Sequence, residues 1–290
     1  MERVAVVYQS LHPEAEPLAR RCVAYLDGRG FAATLLSSWD VGPALQADGW
    51  RLVITFGGDG TILRVARWVA RAEVPIVGVK LGRLGFLSEL HPEQLFDGLD
   101  PYLQGDYWLD TRTMLRATTV PAPSPARALP VDLAMASTSP PPAADDLLAL
   151  NDVVISRSAA GRGLHATVEV DGQELAQYTA DGVIVATATG STAYSYAAGG
   201  PLLAPELPNL VVTAICPHLH GLRSLVLPPD LAVTIRVSTL TPATLVCDGH
   251  VDVPLHDGQA ATVRVAAEQT RFARRGARAA FYRALIDKLR

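Results

Sequence analysis

Leu52-Val53-Ile54-Thr55-Phe56-Gly57-Gly58-Asp59-Gly60-Thr61 is the stretch on which the fold reading turns. Leu52–Phe56 is an apolar run of strand length, stopped by two glycines. Thr61–Ala72 follows, with Ile62, Leu63, Val65, Ala66 and Val69 along one side, the pattern of an amphipathic helix. Strand, glycine turn and helix in direct succession make a βα unit. Working outward, Arg3–Tyr8 reads as a Val-rich buried strand, Glu14–Gly28 as a helix ending at a glycine, and Pro75–Val79 as a third strand. Continuous apolar strands separated by helices predict a parallel sheet covered on both faces. Ligands of such sheets bind at the carboxyl ends of the strands, where the glycine turns lie.

The pattern changes near Tyr107. Met114–Val120, Asp152–Ser156, Ala166–Val170, Gly182–Ala186, Leu210–Ile215, Ala232–Val237, Thr244–Cys247 and Ala261–Val265 are β-rich, and turns such as Asp171-Gly172 and Asp257-Gly258 separate them. This is the signature of an antiparallel sandwich or a related all-β domain. The expected organisation is an α/β domain over 1–107, a β-rich domain over 108–268, and a C-terminal segment, 269–290, returning to the first domain. Gly276–Arg290 reads as a basic helix with Phe281, Leu285 and Leu289 on one stripe, as a packed surface helix has. Pro121–Ala144 holds seven prolines among Ala and Ser and reads as a poorly ordered hairpin insertion without motif residues.

Composition narrows the function classes. Of the 290 residues 49% are apolar and 19% charged, which excludes a disordered chain. No apolar run approaches about 18 residues, so no membrane span is expected. The net charge of −4 argues against a general nucleic-acid binder. Met1–Tyr8 runs straight into a strand-like stretch without the features of a signal peptide. Cys22, Cys216 and Cys247 are odd in number and form no CxxC pair, which suits reduced thiols and predicts a cytoplasmic protein.

Four segments carry chemistry. In Gly57-Gly58-Asp59-Gly60-Thr61 the glycines let the backbone present N–H groups to a phosphate chain, and the following helix adds its positive N-terminal end. A carboxylate there would repel phosphate unless it binds Mg²⁺ or accepts a proton from an attacking hydroxyl; a helix cap is the plainer alternative. GxxxxGK[ST] and GxGxxG are both absent, so neither a P-loop nor a Rossmann dinucleotide site is indicated. Leu81-Gly82-Arg83-Leu84-Gly85-Phe86-Leu87 is a second glycine turn, expected beside the first at the same sheet edge. Asn151-Asp152 suits a ribose diol but also suits an ordinary turn. Asp181 to Ser195 runs from a strand into Thr187-Ala188-Thr189-Gly190-Ser191-Thr192-Ala193-Tyr194-Ser195, a turn of small and hydroxyl residues leading to a short helix closed by Gly199-Gly200, with Tyr194 offering a flat face to a base.

Taken in order, GGDGT, LGRLGFL, Asn-Asp, TGSTAYS and AGGP resemble the NAD kinases over nearly the whole chain, and Cys216-Pro217-His218 and Cys247-Asp248-Gly249 have counterparts there. GGDGT alone is shared with diacylglycerol and sphingosine kinases; its combination with TGSTAYS is more specific. The resemblance implies a transferase that uses ATP (or polyphosphate) with Mg²⁺ to phosphorylate the adenosine ribose 2′-hydroxyl of NAD, giving NADP. It implies that Asp59 is the proton acceptor, and that Gly57, Gly58, Gly60, Thr61 and Arg64 lie at the nucleotide site. It further implies that Asn151 and Asp152 hold ribose hydroxyls, and that Arg162 is a basic contact. Asp181 would serve a neighbouring subunit of a homodimer or homotetramer. Thr192, Ala193, Tyr194, Ser195, Tyr196 and Ala197 would form the wall, with Tyr194 stacking. The chain departs from the family pattern at Ala188 (usually Pro), Lys80 (commonly Asn), Asp152 (frequently Glu) and Thr179 (often basic). Which residues would hold the metal is not legible in the sequence. Two rivals remain at this stage: a lipid kinase of the GGDGT type, which needs a greasy acceptor pocket, and a non-catalytic dinucleotide sensor, which has no use for Asp59.

Overall fold

Buried β-branched and apolar residues dictate the first half of the chain. A computed structural model of the protein describes residues 1–46, 49–82, 85–122, 146–158, 163–218 and 221–289. In chain order its elements are β1 (Arg3–Tyr8), α1 (Ala15–Asp27), β2 (Ala32–Ser37), α2 (Gly42–Gln46), β3 (Trp50–Gly57), α3 (Asp59–Val69), β4 (Ile76–Lys80), α4 (Leu95–Gln104), β5 (Trp108–Val120), β6 (Leu147–Ala149), β7 (Asp152–Arg157), β8 (Leu164–Val170), β9 (Gln173–Ala180), β10 (Gly182–Ala186), α5 (Tyr194–Ala197), β11 (Leu210–Ile215), β12 (Ser224–Leu227), β13 (Val233–Ser238), β14 (Ala243–Cys247), β15 (Val251–Leu255), β16 (Ala260–Arg274) and α6 (Ala280–Leu289). They form two units: Met1–Arg112 together with Glu268–Arg290, and Thr113–Ala267.

The first unit is a parallel sheet in the order β2-β1-β3-β4. Val4, Val6, Leu52, Ile54, Phe56, Val77 and Val79 pack under Cys22 and Leu26 of α1 and Leu95 and Leu99 of α4. Ile62, Val65, Ala66 and Val69 form the buried stripe of α3, and Gly78 lets Ile62 approach β4: a Cβ there would sit 2.8 Å from its Cδ1. The chain passes from β1 to β2 on one side and then to β3 on the other, so the order reverses between β1 and β3. Crevices at such reversals, at the carboxyl ends of the strands, are where these sheets bind ligands.

A buried ion cluster fastens the C-terminal part of this unit. Arg112 donates two hydrogen bonds to Asp110 (2.7 and 2.6 Å), and Arg274 adds a third at 3.3 Å. Burial pushes the Asp110 carboxyl up, but the two guanidinium groups outweigh it and hold the group below the usual carboxylate range. Arg274 Nη1 also donates to Leu87 O (2.9 Å), Ser88 O (3.3 Å) and Glu89 Oε2 (3.2 Å). Glu89 Oε1 accepts the backbone N–H groups of Arg275 and Gly276, and the Phe281 ring lies 5.8 Å from that of Phe86.

The second unit is antiparallel throughout. One sheet has the order β12-β11-β10-β7-β14-β15; in the other, β13 lies between β16 and β8, with β9 beyond β8. Val153, Ile155, Val183, Val185 and Leu245 of the first sheet share a core with Val168, Val233, Ile235 and Val263 of the second, the facing layers of a sandwich. The opposite face of β10 is also buried: Ile184 and Ala186 pack with Val154 and Val211. β8 and β9 are joined by Asp171-Gly172, both at positive φ (47° and 78°), the conformation a tight two-residue hairpin turn demands.

The class expected from the sequence, parallel α/β followed by antiparallel β, is the class observed. Elements the sequence left unread are β2, α2, α4, β6, β9, β12 and β15. Apart from Pro121 and Ala122, the Pro121–Ala144 insertion lies outside the described residues. Among the described residues no helix is long and apolar enough to cross a membrane.

Candidate active site

In the first unit the two glycine turns meet, as their positions after β3 and β4 led one to expect. Gly58 is the N-cap of α3 and Asp59 its first residue. The Asp59 carboxylate accepts the backbone N–H of Phe86 through Oδ2 (2.8 Å) and that of Leu87 through Oδ1 (3.2 Å). This contact explains Gly85, where a Cβ would overlap Asp59 Oδ1. Arg83, in the same turn, lies outside the described residues. Each Asp59 oxygen keeps a second lone pair, so the group is fixed in orientation while still able to accept.

The glycines of GGDGT divide into two kinds. A Cβ on Gly57 would overlap Thr61 Oγ1 and come within 3.2 Å of Gln9 Cβ, so Gly57 serves the fold. Gly58 and Gly60 would meet nothing within 4 Å, and neither has a positive φ. The protein's own packing has no need of glycine at either position, whereas close approach of a ligand to the backbone does. Thr61 is buried, its N–H bonded to Gly58 O, and is committed to the turn. Arg64, one turn beyond Gly60 on α3, lays its guanidinium carbon 3.4 Å from the centre of the Trp39 ring.

In the second unit three separated segments converge, and the residue that joins them is Asp248. Asp248 sits at φ 49° between β14 and β15. Its carboxylate accepts three successive backbone N–H groups, those of Leu150 (2.7 Å), Asn151 (2.7 Å) and Asp152 (3.1 Å). Its own N–H donates to Asp152 O. The Thr187 hydroxyl donates to Leu150 O at 2.7 Å and accepts the Gly190 N–H at 3.0 Å. Gly190 lies against the Asn151 backbone, whose Cα would be 2.8 Å from an added Cβ. The Asn-Asp pair, the TGST turn and the Cys-Asp-Gly turn are therefore one backbone-bonded assembly. The sequence alone gives Asp248 no role, because its partners lie almost 100 residues away. The left-handed conformation that Asp tolerates in an Asp-Gly pair was the available signal.

Asp152 is buried at 6% exposure. That burial pushes its carboxyl up to about 7, and the Asp248 charge adds to the effect. The remaining expected site residues are placed as follows. Tyr194 and Tyr196 are 47% and 43% exposed. Ser195 is buried with its hydroxyl 3.2 Å from that of Thr213, and the Thr192 hydroxyl donates to Thr189 O. The side chains of Ser195 and Thr192 are thus engaged in the fold. Ala193 and Ala197 bracket α5, with the Ala197 N–H donating to Ala193 O. Asp181 pairs with Arg157 of its own chain at 2.6 Å. Arg162 lies outside the described residues. Among the described residues no group of three or more His, Cys, Asp or Glu side chains is arranged to hold a metal.

Two stability measurements check this geometry. Gly60→Ala leaves the thermal midpoint unchanged or raises it, since alanine in a helix is favoured over glycine by up to about 1 kcal/mol, whereas Gly57→Ala and Gly85→Ala lower it. Equal losses at all three positions would show that Gly60 is structural. The second concerns pH. The folded-state value for Asp152 lies above the ordinary 3.8, so between about pH 4 and 7 the folded chain keeps a proton the unfolded chain has released. Stability falls as pH rises through that window, and the cost is complete above it. Asp152→Asn therefore raises the thermal midpoint at pH 8, and the gain shrinks towards pH 4. A gain that is absent at pH 8, or equal at both, contradicts the assignment.

Comparison with known proteins agrees with this reading. Residues 37–107 match the ATP-NAD kinase N-terminal domain and residues 150–275 the ATP-NAD kinase C-terminal domain. The chain is 37% identical over 292 residues to an NAD kinase of Dehalococcoides mccartyi, covering 100% of this chain and 96% of the relative. It is 36% identical over 292 residues to one of Chloroflexus aggregans, covering 100% and 99%. Its fold is similar to that of an NAD kinase from Archaeoglobus fulgidus solved in complex with ATP (TM-score 0.75, 24% identity, 98% of each chain). It is also similar to a yeast NADH kinase complexed with NADH (TM-score 0.79, 20% identity, 100% of this chain and 87% of that one). Both domain matches, identity sustained along the full length, and the joined motifs of each unit lead to one conclusion: the chain belongs to the NAD kinase family.

Proposed function

We propose that this chain transfers the γ-phosphate of ATP, or a phosphate of polyphosphate, to the adenosine ribose 2′-hydroxyl of NAD, giving NADP. The observation that carries the reading is Asp59: a carboxylate held by two backbone N–H groups at the head of α3, beside two glycines that the fold itself does not require. Its proposed role is to accept the 2′-hydroxyl proton as that oxygen bonds to the γ-phosphorus and the bond from phosphorus to the leaving ADP oxygen breaks. The N–H groups around Gly58 and Gly60 and the N-terminal end of α3 face the phosphate chain in this proposal, with Arg64 as a cationic contact. Asn151 and Asp152 hold ribose hydroxyls. Below about pH 7 Asp152 is protonated and donates as well as accepts. Tyr194 supplies a stacking face; Ser195, Thr61 and Thr192 act through their backbone, their side chains being engaged elsewhere.

A resident metal cage does not fit the described residues, but a nucleotide-borne ion does, since Mg²⁺ is commonly held by one or two carboxylates together with substrate phosphates. Asp59 has the lone pairs for that contact, and the ion supplies neutralisation of the donor phosphates. We extend the proposal to a cytoplasmic homo-oligomer in which Asp181 serves a neighbouring subunit. Three free thiols support the compartment. The exposed tyrosines and the side chain of Asp181, 44% exposed, support the shared site.

The test is a coupled assay with NAD, ATP and Mg²⁺, the product read by an NADP-specific dehydrogenase, alongside a short-chain diacylglycerol as acceptor. NADP formation with no phosphorylated lipid is expected, and Gly60→Ala, though fully folded, loses most of it. Lipid phosphorylation, or NAD binding without turnover, would overturn the reading in favour of a lipid kinase or a sensor respectively.

A further inference from the structure

Arg64 differs from the many arginines of its unit that pair with an acid. In the first unit Arg20, Arg29, Arg51, Arg112, Arg271, Arg274 and Arg275 each meet a carboxylate. Arg64 takes part in no ion pair among the described residues. Burial, and then the like charge of Arg67, lower its pKa from the ordinary arginine value, so the surroundings penalise rather than compensate its charge. What holds it is the face of Trp39, 3.4 Å from the guanidinium carbon to the ring centre. Trp39 is itself 52% exposed, a large apolar surface that core packing does not account for. It lies just after β2, at the same carboxyl edge of the sheet as Gly57-Gly58, and Gly60, with open space at its Cα, precedes Arg64 by one turn of α3.

We propose that Trp39 is a positioning residue: its indole holds the Arg64 guanidinium flat and aimed, making an aromatic-backed subsite for a nucleotide phosphate. The chemistry is that of a planar cation. Stacking fixes the long side chain before the ligand arrives, so less rotamer entropy is lost on binding. A partly desolvated guanidinium without a protein acid gains most from an anion that supplies its charge and two parallel acceptors. Trp is the best of the aromatic faces for this purpose. The inference rests on the nucleotide-phosphorylating reading of the site, and it adds a determinant that the glycine motif does not contain.

The experiment compares Trp39→Ala, Trp39→Phe, Arg64→Ala and the Trp39→Ala/Arg64→Ala double variant, with KM for ATP and for NAD measured separately. The expected result is a KM raised about three- to tenfold in Trp39→Ala for the nucleotide whose phosphate is held, with kcat within about twofold. Trp39→Phe restores most of the loss, and the double variant is no worse than Arg64→Ala alone. Which KM moves identifies the source of the phosphate. Unchanged KM for both nucleotides, or full additivity of the two single losses, overturns the proposal. If wild type fails to phosphorylate NAD, the functional reading falls, and calorimetry with ATP, NAD and inorganic tripolyphosphate then decides the subsite. Weaker binding of any of these to Trp39→Ala than to wild type supports it, and equal binding of all three overturns it. Trp39→Phe carries the same comparison should the alanine variant fail to fold.

Discussion

The bond from the Asp59 carboxylate to the Phe86 and Leu87 amides is the constraint on which the first unit's site depends. It ties the loop after β4 to the head of α3. It excludes any side chain at Gly85 and leaves Asp59 with one defined orientation. The same short segment is gripped from its other side, because Arg274 accepts no freedom in the carbonyls of Leu87 and Ser88 and is itself locked to Asp110 and Glu89. Leu87 therefore lies with its N–H on a carboxylate and its C=O on a guanidinium. Removing one member of such a buried charge set typically costs about 3–5 kcal/mol, far more than an exposed pair is worth. The position of a group fit to move a proton thus depends on a residue 215 places further along the chain.

The second unit uses the same device. Asp248, in a left-handed turn, takes three successive amides and so sets the shape of the Asn151-Asp152 corner. The consequence is electrostatic as well as geometric. Burial, with the Asp248 carboxylate adding to it, raises the Asp152 pKa to about 7, so this carboxyl is shared between protonation states near neutral pH. Fixed orientation is obtained here at a cost in stability, a trade found often where groups are pre-organised for a ligand.

Much of this was legible in the sequence wherever local pattern and motif coincide. Arg3–Tyr8, Gly182–Ala186 and Leu210–Ile215 are strands with the bounds their apolar runs suggest. The elements that escaped notice lack that coincidence. β9, Gln-Glu-Leu-Ala-Gln-Tyr-Thr-Ala, is mostly exposed over its first half and poor in β-branched residues; only its hairpin with β8 makes it a strand. α4 carries Gly98 and Pro101, which read as breakers, yet Leu95, Leu99, Tyr102 and Leu103 bury one face and tertiary packing prevails. Among the site residues, Asp59 and the Asn-Asp pair announce themselves by motif. Asp248, Trp39 and Arg274 do not, since their roles consist of contacts with residues distant in sequence. Ser195 and Thr61 show the converse: they belong to a motif, but their side chains face the core.

Asp59 is proposed here as both anchor and proton acceptor, and the Asp59→Asn chain isolates the second role. An amide side chain keeps the size of the carboxylate but offers one acceptor oxygen and is far too weak a base for the 2′-hydroxyl. With NAD, ATP and Mg²⁺ in the coupled assay, kcat should fall about 10²- to 10⁴-fold while NAD affinity by calorimetry stays within about threefold of wild type. A variant that retains more than about a third of wild-type turnover, or that loses NAD binding along with it, contradicts the assignment.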